Sequence, residues 1–330
     1  MPTIGVIGGG AWGTALAQVF AKNGRDTTLW ARETEVVTAI NEKHENTVFL
    51  PGIPLDKRLK ATGALDDIAA KDILVLVSPA QFVRATLGSL KKDIKNKPVV
   101  ICAKGIELNT GLLLSQVAEE TAPDSKIAIL TGPTFAGEIA RGLPAAITIA
   151  AHNKALAEQL QTHLGAKYFR AYITDDMIGA QVSGAIKNVI AIACGISHGL
   201  KMGDSARAAL ITRGLAEITR LAVALGGKRE TVTGLCGVGD LMLTCSSMQS
   251  RNFSLGAALG EGKTLEQVLG PRKEVTEGVY TARATLELAK KYKIDMPITR
   301  AVSQCLNDGL PVDKAIEELL NRPMKEESSL

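Results

Sequence analysis

The sequence has only four histidines in 330 residues, and they are scattered, so no imidazole cluster marks a metal centre. Its five cysteines (Cys102, Cys194, Cys236, Cys245 and Cys305) are odd in number, widely spaced and never arranged C-x-x-C. That argues against a zinc ribbon or a disulfide framework and points to reduced thiols in a cytoplasmic protein. Aromatic residues make up 4% of the chain, and basic residues outnumber acidic ones by only four without forming a basic block. A base-stacking surface and a phosphodiester-binding stripe are therefore both lacking, and nucleic acid is not an expected partner. The mild positive charge suits a small anionic ligand.

A secretory signal is not expected either, since MPTIGVIGGG has no basic start and enters a strand pattern at once. The nearest approach to a membrane span is the apolar run 179–197, whose only full charge is Lys187. Gln181, Ser183, Lys187 and Asn188 sit near its middle, where lipid would penalise them. The run is expected to be a buried helix, and no membrane insertion is expected.

The length suits two domains, each with its own core. In the first half, strand-like runs at Thr3–Ile7, Thr27–Trp30, Ile73–Val77, Val99–Cys102, Ile127–Leu130 and Ala146–Ala150 alternate with helical patterns. This is the rhythm of a mostly parallel sheet covered on both faces. One long connection, 44–58, contains Pro51 and Pro54 and is expected to be a mobile loop. From about residue 175 the strand signal stops. Residues 205–225 carry a helical stripe of Ile211, Leu215, Ile218, Ala222 and Leu225, ending at Gly226-Gly227. Thr264 and Gln267 have capping-box spacing, and further helices are expected near 279–292, 297–307 and 312–321. The terminal MKEESSL is expected to fray. The expectation is an α/β domain over 1–178 and an all-α domain over 179–330.

Gly8, Gly10 and Gly13 in IGVIGGGAWGTAL have G-x-G-x-x-G spacing after a strand and at the start of a helix. These glycines permit the tight turn, the close approach of backbone to a pyrophosphate and tight helix packing, while the helix N-terminus attracts the anion. The first domain is therefore expected to be Rossmann-like and to bind a dinucleotide. The acidic residue that usually follows the second strand is missing; LWARETE puts Arg32 there. An arginine can neutralise a 2′-phosphate, so NADP(H) is the preferred cofactor, with NAD(H) left open by the neighbouring Glu33. A solvated surface arginine is the alternative.

Ligands of open parallel sheets gather where the strands end. Lys104 follows one such end, and Gly132 and Thr134 follow another, offering NH and hydroxyl donors. In the second half, GVGDLMLTCSSMQSRN holds Asp240 and, at a helix start, Ser250, Arg251 and Asn252. Those three residues suit a phosphate, or else form an ordinary N-cap beside a solvated arginine. Lys187 has two readings as well. Its ammonium either snorkels to water, or it serves as a partly desolvated base near Lys104, with Asp240 orienting one of the pair. No histidine has a convincing active-site context, although His198 stays open as a base.

Together, GGGAWGTALA, AKG at 103–105, GPTFAGEIA, GAIKNVIAIACGI and GVGDLMLTC…SRN resemble NAD(P)-dependent glycerol-3-phosphate dehydrogenase of the bacterial type, in order along nearly the whole chain. The resemblance implies a reversible conversion of dihydroxyacetone phosphate to sn-glycerol 3-phosphate for phospholipid synthesis. It implies Lys187 as proton acceptor and Lys104 as shared between substrate and cofactor. Gly132, Thr134, Asp240, Ser250, Arg251 and Asn252 match substrate positions, with Arg251 also reaching the cofactor. Trp12, Arg32, Ala136, Val275 and Glu277 match cofactor positions. Ala11 stands where many relatives have serine, which removes a hydroxyl but not the backbone NH.

Two alternatives remain: a lysine-dependent reductase for an unphosphorylated hydroxy acid or sugar acid, and a nucleotide-sensing regulator without turnover. Apolar faces in the helical half make a homodimer compatible with the sequence.

Overall fold

The computed structural model describes residues 1–90, 94–271, 275–324 and 326. The chain forms two compact units, one of Met1–Ala103 with Leu114–Met177 and one of Lys104–Leu113 with Ile178–Leu330. Each has its own hydrophobic core.

The first unit is built on strands β1 (Ile4–Ile7), β2 (Thr27–Trp30), β3 (Lys60–Thr62), β4 (Ile73–Leu76), β5 (Pro98–Ile101), β6 (Lys126–Thr131), β7 (Ala145–Ala150) and β8 (Phe169–Thr174). They form one sheet in the order β3-β2-β1-β4-β5-β6-β7-β8. All adjacent strands run parallel except β6 and β7. Helices α1 (Ala11–Lys22), α2 (Thr34–Lys43), α3 (Leu65–Ala69), α4 (Val83–Leu90), α5 (Leu114–Thr121), α6 (Ala136–Arg141) and α7 (Lys154–Leu164) alternate with the strands. IGVI, ILVL and PVVI in β1, β4 and β5 are buried at every position, as a parallel sheet covered on both faces requires. The sequence reading missed β3 and β8, the two edge strands. β3 has three residues with one buried, and β8 buries only its first residue fully, so neither offers a strong apolar run.

The 44–58 connection is fastened to the first unit by buried polar and apolar contacts. Asn46, which is fully buried, donates to Gly9 O and Thr14 Oγ1, both at 2.8 Å. Gln18 on α1 donates to Pro54 O at 3.1 Å and accepts from Asp56 N at 2.7 Å. Leu50, Ile53 and Leu55 join the core of this unit, so the two prolines shape a segment that is fastened to α1.

The second unit is helical: α8 (Met177–Gly199), α9 (Asp204–Ala224), α10 (Arg229–Val232), a π-helical turn at Leu235–Gly239, α11 (Asp240–Thr244), α12 (Arg251–Gly260), α13 (Leu265–Leu269), α14 (Glu277–Lys291), α15 (Pro297–Asn307) and α16 (Val312–Leu320). The capping box at Thr264 and Gln267 is present. Lys325 and residues 327–330 of the terminal segment lie outside the described residues.

Among the described residues, α8 is the one helix long and apolar enough to cross a membrane, and 94% of its apolar window is buried inside the protein. Its packing against α12 depends on glycine. A Cβ at Gly195 would lie 2.1 Å from Phe253 O, and one at Gly256 would lie 2.1 Å from Ile192 O. Gly199 and Gly260 repeat the arrangement one turn further on, at 2.2 and 2.4 Å. The two helix backbones touch directly, which brings the start of α12 level with the middle of α8.

Candidate active site

In the first unit the glycine loop follows β1 where the strand order reverses between β1 and β4, the usual ligand crevice of such sheets. Gly8 has φ 128°, which favours glycine, and Gly8 N donates to Trp30 O at the end of β2. A Cβ at Gly13 would lie 1.9 Å from Gly8 O, so α1 packs directly on the turn. A Cβ at Gly10 would meet nothing within 4 Å, and no side chain caps α1. The first amides of α1 therefore face open space, as a pyrophosphate requires. Trp12 Nε1 is buried without a hydrogen-bond partner, and Ala11, Trp12 and Ala136 all pack on the same core. These residues fit a dinucleotide.

Arg32 stands just past β2 with its side chain 81% exposed, Nη2 lying 3.1 Å from Glu33 Oε1. Gly132 ends β6 with φ 149°, and a Cβ there would lie 2.9 Å from Ile147 Cα. Thr134 Oγ1 contacts Gly132 O at 3.3 Å, shortly before α6.

In the second unit, Lys187 lies midway along α8 and is only 6% exposed, which rules out the snorkelling reading. Its Nζ donates to Asp240 Oδ1 and, at 2.8 Å, to Thr244 Oγ1. Lys104 Nζ donates to the other carboxylate oxygen, Asp240 Oδ2, at 2.6 Å. Asp240 is fully buried at the start of α11, so one carboxylate serves two ammonium groups away from water. Burial pushes the Lys187 pKa down from the usual 10.5 to about 7; Asp240 opposes the shift and the Lys104 charge adds to it. A lysine in this state can both accept and give up a proton near neutral pH. Burial holds the nearby Cys245 thiol well above its usual range, so it offers no thiolate nucleophile.

The SRN segment begins α12. Ser250 is its N-cap, accepting from Phe253 N at 3.2 Å. Arg251 Nη1 donates to Val275 O at 2.9 Å, and Asn252 Oδ1 accepts from Gly278 N at 3.0 Å. A Cβ on Gly278 would approach both Asn252 Oδ1 (2.6 Å) and Asn188 O (2.9 Å), so the SRN segment, the start of α14 with Glu277, and the turn of α8 next to Lys187 converge. His198 does not join them; it is exposed at the end of α8, about 16 Å along the helix from Lys187, with its ring 5.4 Å from Phe253.

Residues 3–157 match the N-terminus, and residues 176–317 the C-terminus, of NAD-dependent glycerol-3-phosphate dehydrogenase as families. The chain belongs to the NAD-dependent glycerol-3-phosphate dehydrogenase family. It is 54% identical over 326 residues to the glycerol-3-phosphate dehydrogenase [NAD(P)+] of Parvibaculum lavamentivorans, covering 98% of each chain. A crystal structure of glycerol-3-phosphate dehydrogenase from Coxiella burnetii superposes with a TM-score of 0.93 at 38% identity, over 97% of this chain and 99% of that one. The Saccharomyces cerevisiae enzyme gives 0.82 at 27% identity, over 98% of this chain and all of that one.

In this member of the glycerol-3-phosphate dehydrogenase family, one polar residue of the cluster went unread: Thr244. The signal was present, since Asp240 and Thr244 are four residues apart in DLMLT and so share a helix face. Thr244 Oγ1 donates to Asp240 O at 2.6 Å, which leaves its lone pair for Lys187.

Proposed function

We propose that the protein interconverts dihydroxyacetone phosphate and sn-glycerol 3-phosphate with a nicotinamide cofactor, using Lys187 as the proton carrier. The observation that carries this reading is the buried Lys187 with a pKa of about 7, held by Asp240 and Thr244. When bound, the cofactor supplies or takes up the hydride at the carbinol carbon. In the reducing direction the Lys187 ammonium gives its proton to the oxygen formed from the carbonyl. In the oxidising direction the neutral amine takes the hydroxyl proton. Lys104 keeps Asp240 paired while Lys187 is neutral, so no carboxylate is left buried without a partner.

Ser250, Arg251 and Asn252 are proposed to receive the substrate phosphate at the N-terminus of α12. Arg251 is aimed by Val275 O and Asn252 is oriented by Gly278 N. Gly132 and Thr134 keep their proposed substrate contacts. Gly8, Gly10, Ala11, Trp12, Gly13, Arg32, Lys104, Ala136, Arg251, Val275 and Glu277 are the proposed cofactor residues. Arg32 supports a preference for NADP(H) over NAD(H). The α/β unit is proposed as the dinucleotide-binding domain and the helical unit as the substrate domain.

A cytoplasmic location without membrane insertion fits the burial of α8 and the free cysteines. A homodimer is proposed from the exposed Val223, Met242, Met248 and Tyr280 of the helical unit. The test of function is NADPH oxidation with dihydroxyacetone phosphate against unphosphorylated dihydroxyacetone. The proposal expects turnover with the phosphate ester alone. Equal rates would remove the phosphate site, and no turnover with either would favour a nucleotide-sensing role.

A further inference from the structure

A cavity of about 610 Å³ opens in the helical unit between α8, α9, α15 and α16, and neither Lys187 nor Asp240 lines it. Its wall on α9 runs from Ala206 through Leu210 and Arg213 to Arg220, with Val302 and Ile316 on the opposite side. Fourteen residues of helix span about 21 Å. The α9 wall of the cavity extends over that length.

Donors inside this apolar channel lack acceptors. Arg213 is half-buried and makes no hydrogen bond or ion pair among the described residues. Glu217, one turn further along α9, does not serve it. Both Glu217 oxygens are committed to α15, accepting from Ile298 N at 2.6 Å, Thr299 N at 3.1 Å and Thr299 Oγ1 at 2.8 Å. Ser197 is 2% exposed with its hydroxyl unpartnered. Arg220 Nε is also buried without a partner, although its Nη2 donates to Asp295 O at 2.9 Å. The remaining carboxylate, Asp295, is taken by Arg300 and Arg322. The channel therefore has donors and positive charge in excess of acceptors. Buried donors favour a ligand that brings acceptor oxygens, and a guanidinium matches a planar carboxylate in two-point geometry.

We infer that this channel binds a single-chain fatty carboxylate, its chain lying along α9 against α15 and α16 and its carboxylate on Arg213. The apolar face of a partner helix would leave Arg213 and Ser197 without acceptors. The site is separate from the Lys187 cluster and independent of the reaction assigned to it.

The test is calorimetric titration of the full-length protein with dodecanoate below its micelle concentration, with dodecanol as the neutral control. Saturable one-to-one binding is expected, with dodecanol at least tenfold weaker. Arg213→Ala should weaken dodecanoate about tenfold or more, and Leu210→Trp, which fills the channel, should abolish binding. Circular dichroism and triose-phosphate turnover verify that both variants are folded. The inference is overturned by absence of saturable binding to the wild type, by equal binding of dodecanol, or by unchanged binding in both variants. It is also overturned if dodecanoate fails to bind while Leu210→Trp changes the mass seen by light scattering, since the channel is then covered by a second copy of the chain.

Discussion

Lys187 donates to an Asp240 carboxylate that is fully buried and simultaneously accepts from Lys104. Two cations on one carboxylate leave an excess positive charge away from water, and neutralising Lys187 relieves it. Lys104 is the better solvated of the two, with its side chain 17% exposed, so the deeper lysine is the one that loses its proton near neutrality.

Thr244 offers Lys187 its second acceptor, at 2.8 Å. Thr244→Val removes that acceptor at nearly constant volume and disfavours the ammonium further. The expected outcome is a fall in kcat of about tenfold, less than the hundredfold or more of a group that itself transfers the proton, with the pH inflection moved below 7. Thr244→Ser should restore both. A pH–rate series on the two variants checks this, and an unmoved inflection in Thr244→Val would limit Thr244 to packing.

Arg32 is solvated, so its effect on cofactor choice should be modest and sensitive to salt. Arg32→Ala should weaken NADPH by about tenfold, near the value of one charge-assisted contact, and leave NADH nearly unchanged. Fluorescence titration with both cofactors decides it; an equal loss for each would show that Arg32 does not read the 2′-phosphate.

The crossing of α8 and α12 allows no side chain at Gly256, where a Cβ would sit 2.1 Å from Ile192 O. Gly256→Ala must push the two backbones apart at a cost of about 1–3 kcal/mol, or more, as for overpacked cores. Urea unfolding should show a lower midpoint with an unchanged slope, and turnover should fall because α12 carries Ser250, Arg251 and Asn252. Gly10→Ala is the contrast on the stability side, since its Cβ meets nothing within 4 Å.

The parallel sheet was legible because its central strands are uninterrupted apolar runs, and the glycine loop because its spacing sits between a strand and a helix. β3 and β8 were not, since edge strands bury little and carry no strong pattern. The prolines of the 44–58 segment announce a loop, while its anchoring was not legible because it rests on Asn46 and Gln18, whose partners lie dozens of residues away. Lys187 and Asp240 stood out as charges in apolar surroundings, but their contact spans 53 residues and only the fold brings them together. Ser250 illustrates the limit of local reading: the sequence offered a phosphate contact or an N-cap, and the cap it forms on α12 is compatible with the proposed phosphate site.

The most direct test of the account is the pH dependence of kcat for glycerol 3-phosphate oxidation, in the wild type and in Lys187→Ala. With Lys187 titrating at about 7, the neutral base accumulates as the pH rises, so oxidation should climb through that value and reduction should decline. Lys187→Ala should lose roughly a hundredfold or more in turnover and lose the inflection, while still binding NADPH. Near-normal turnover with the same inflection in Lys187→Ala would contradict the account.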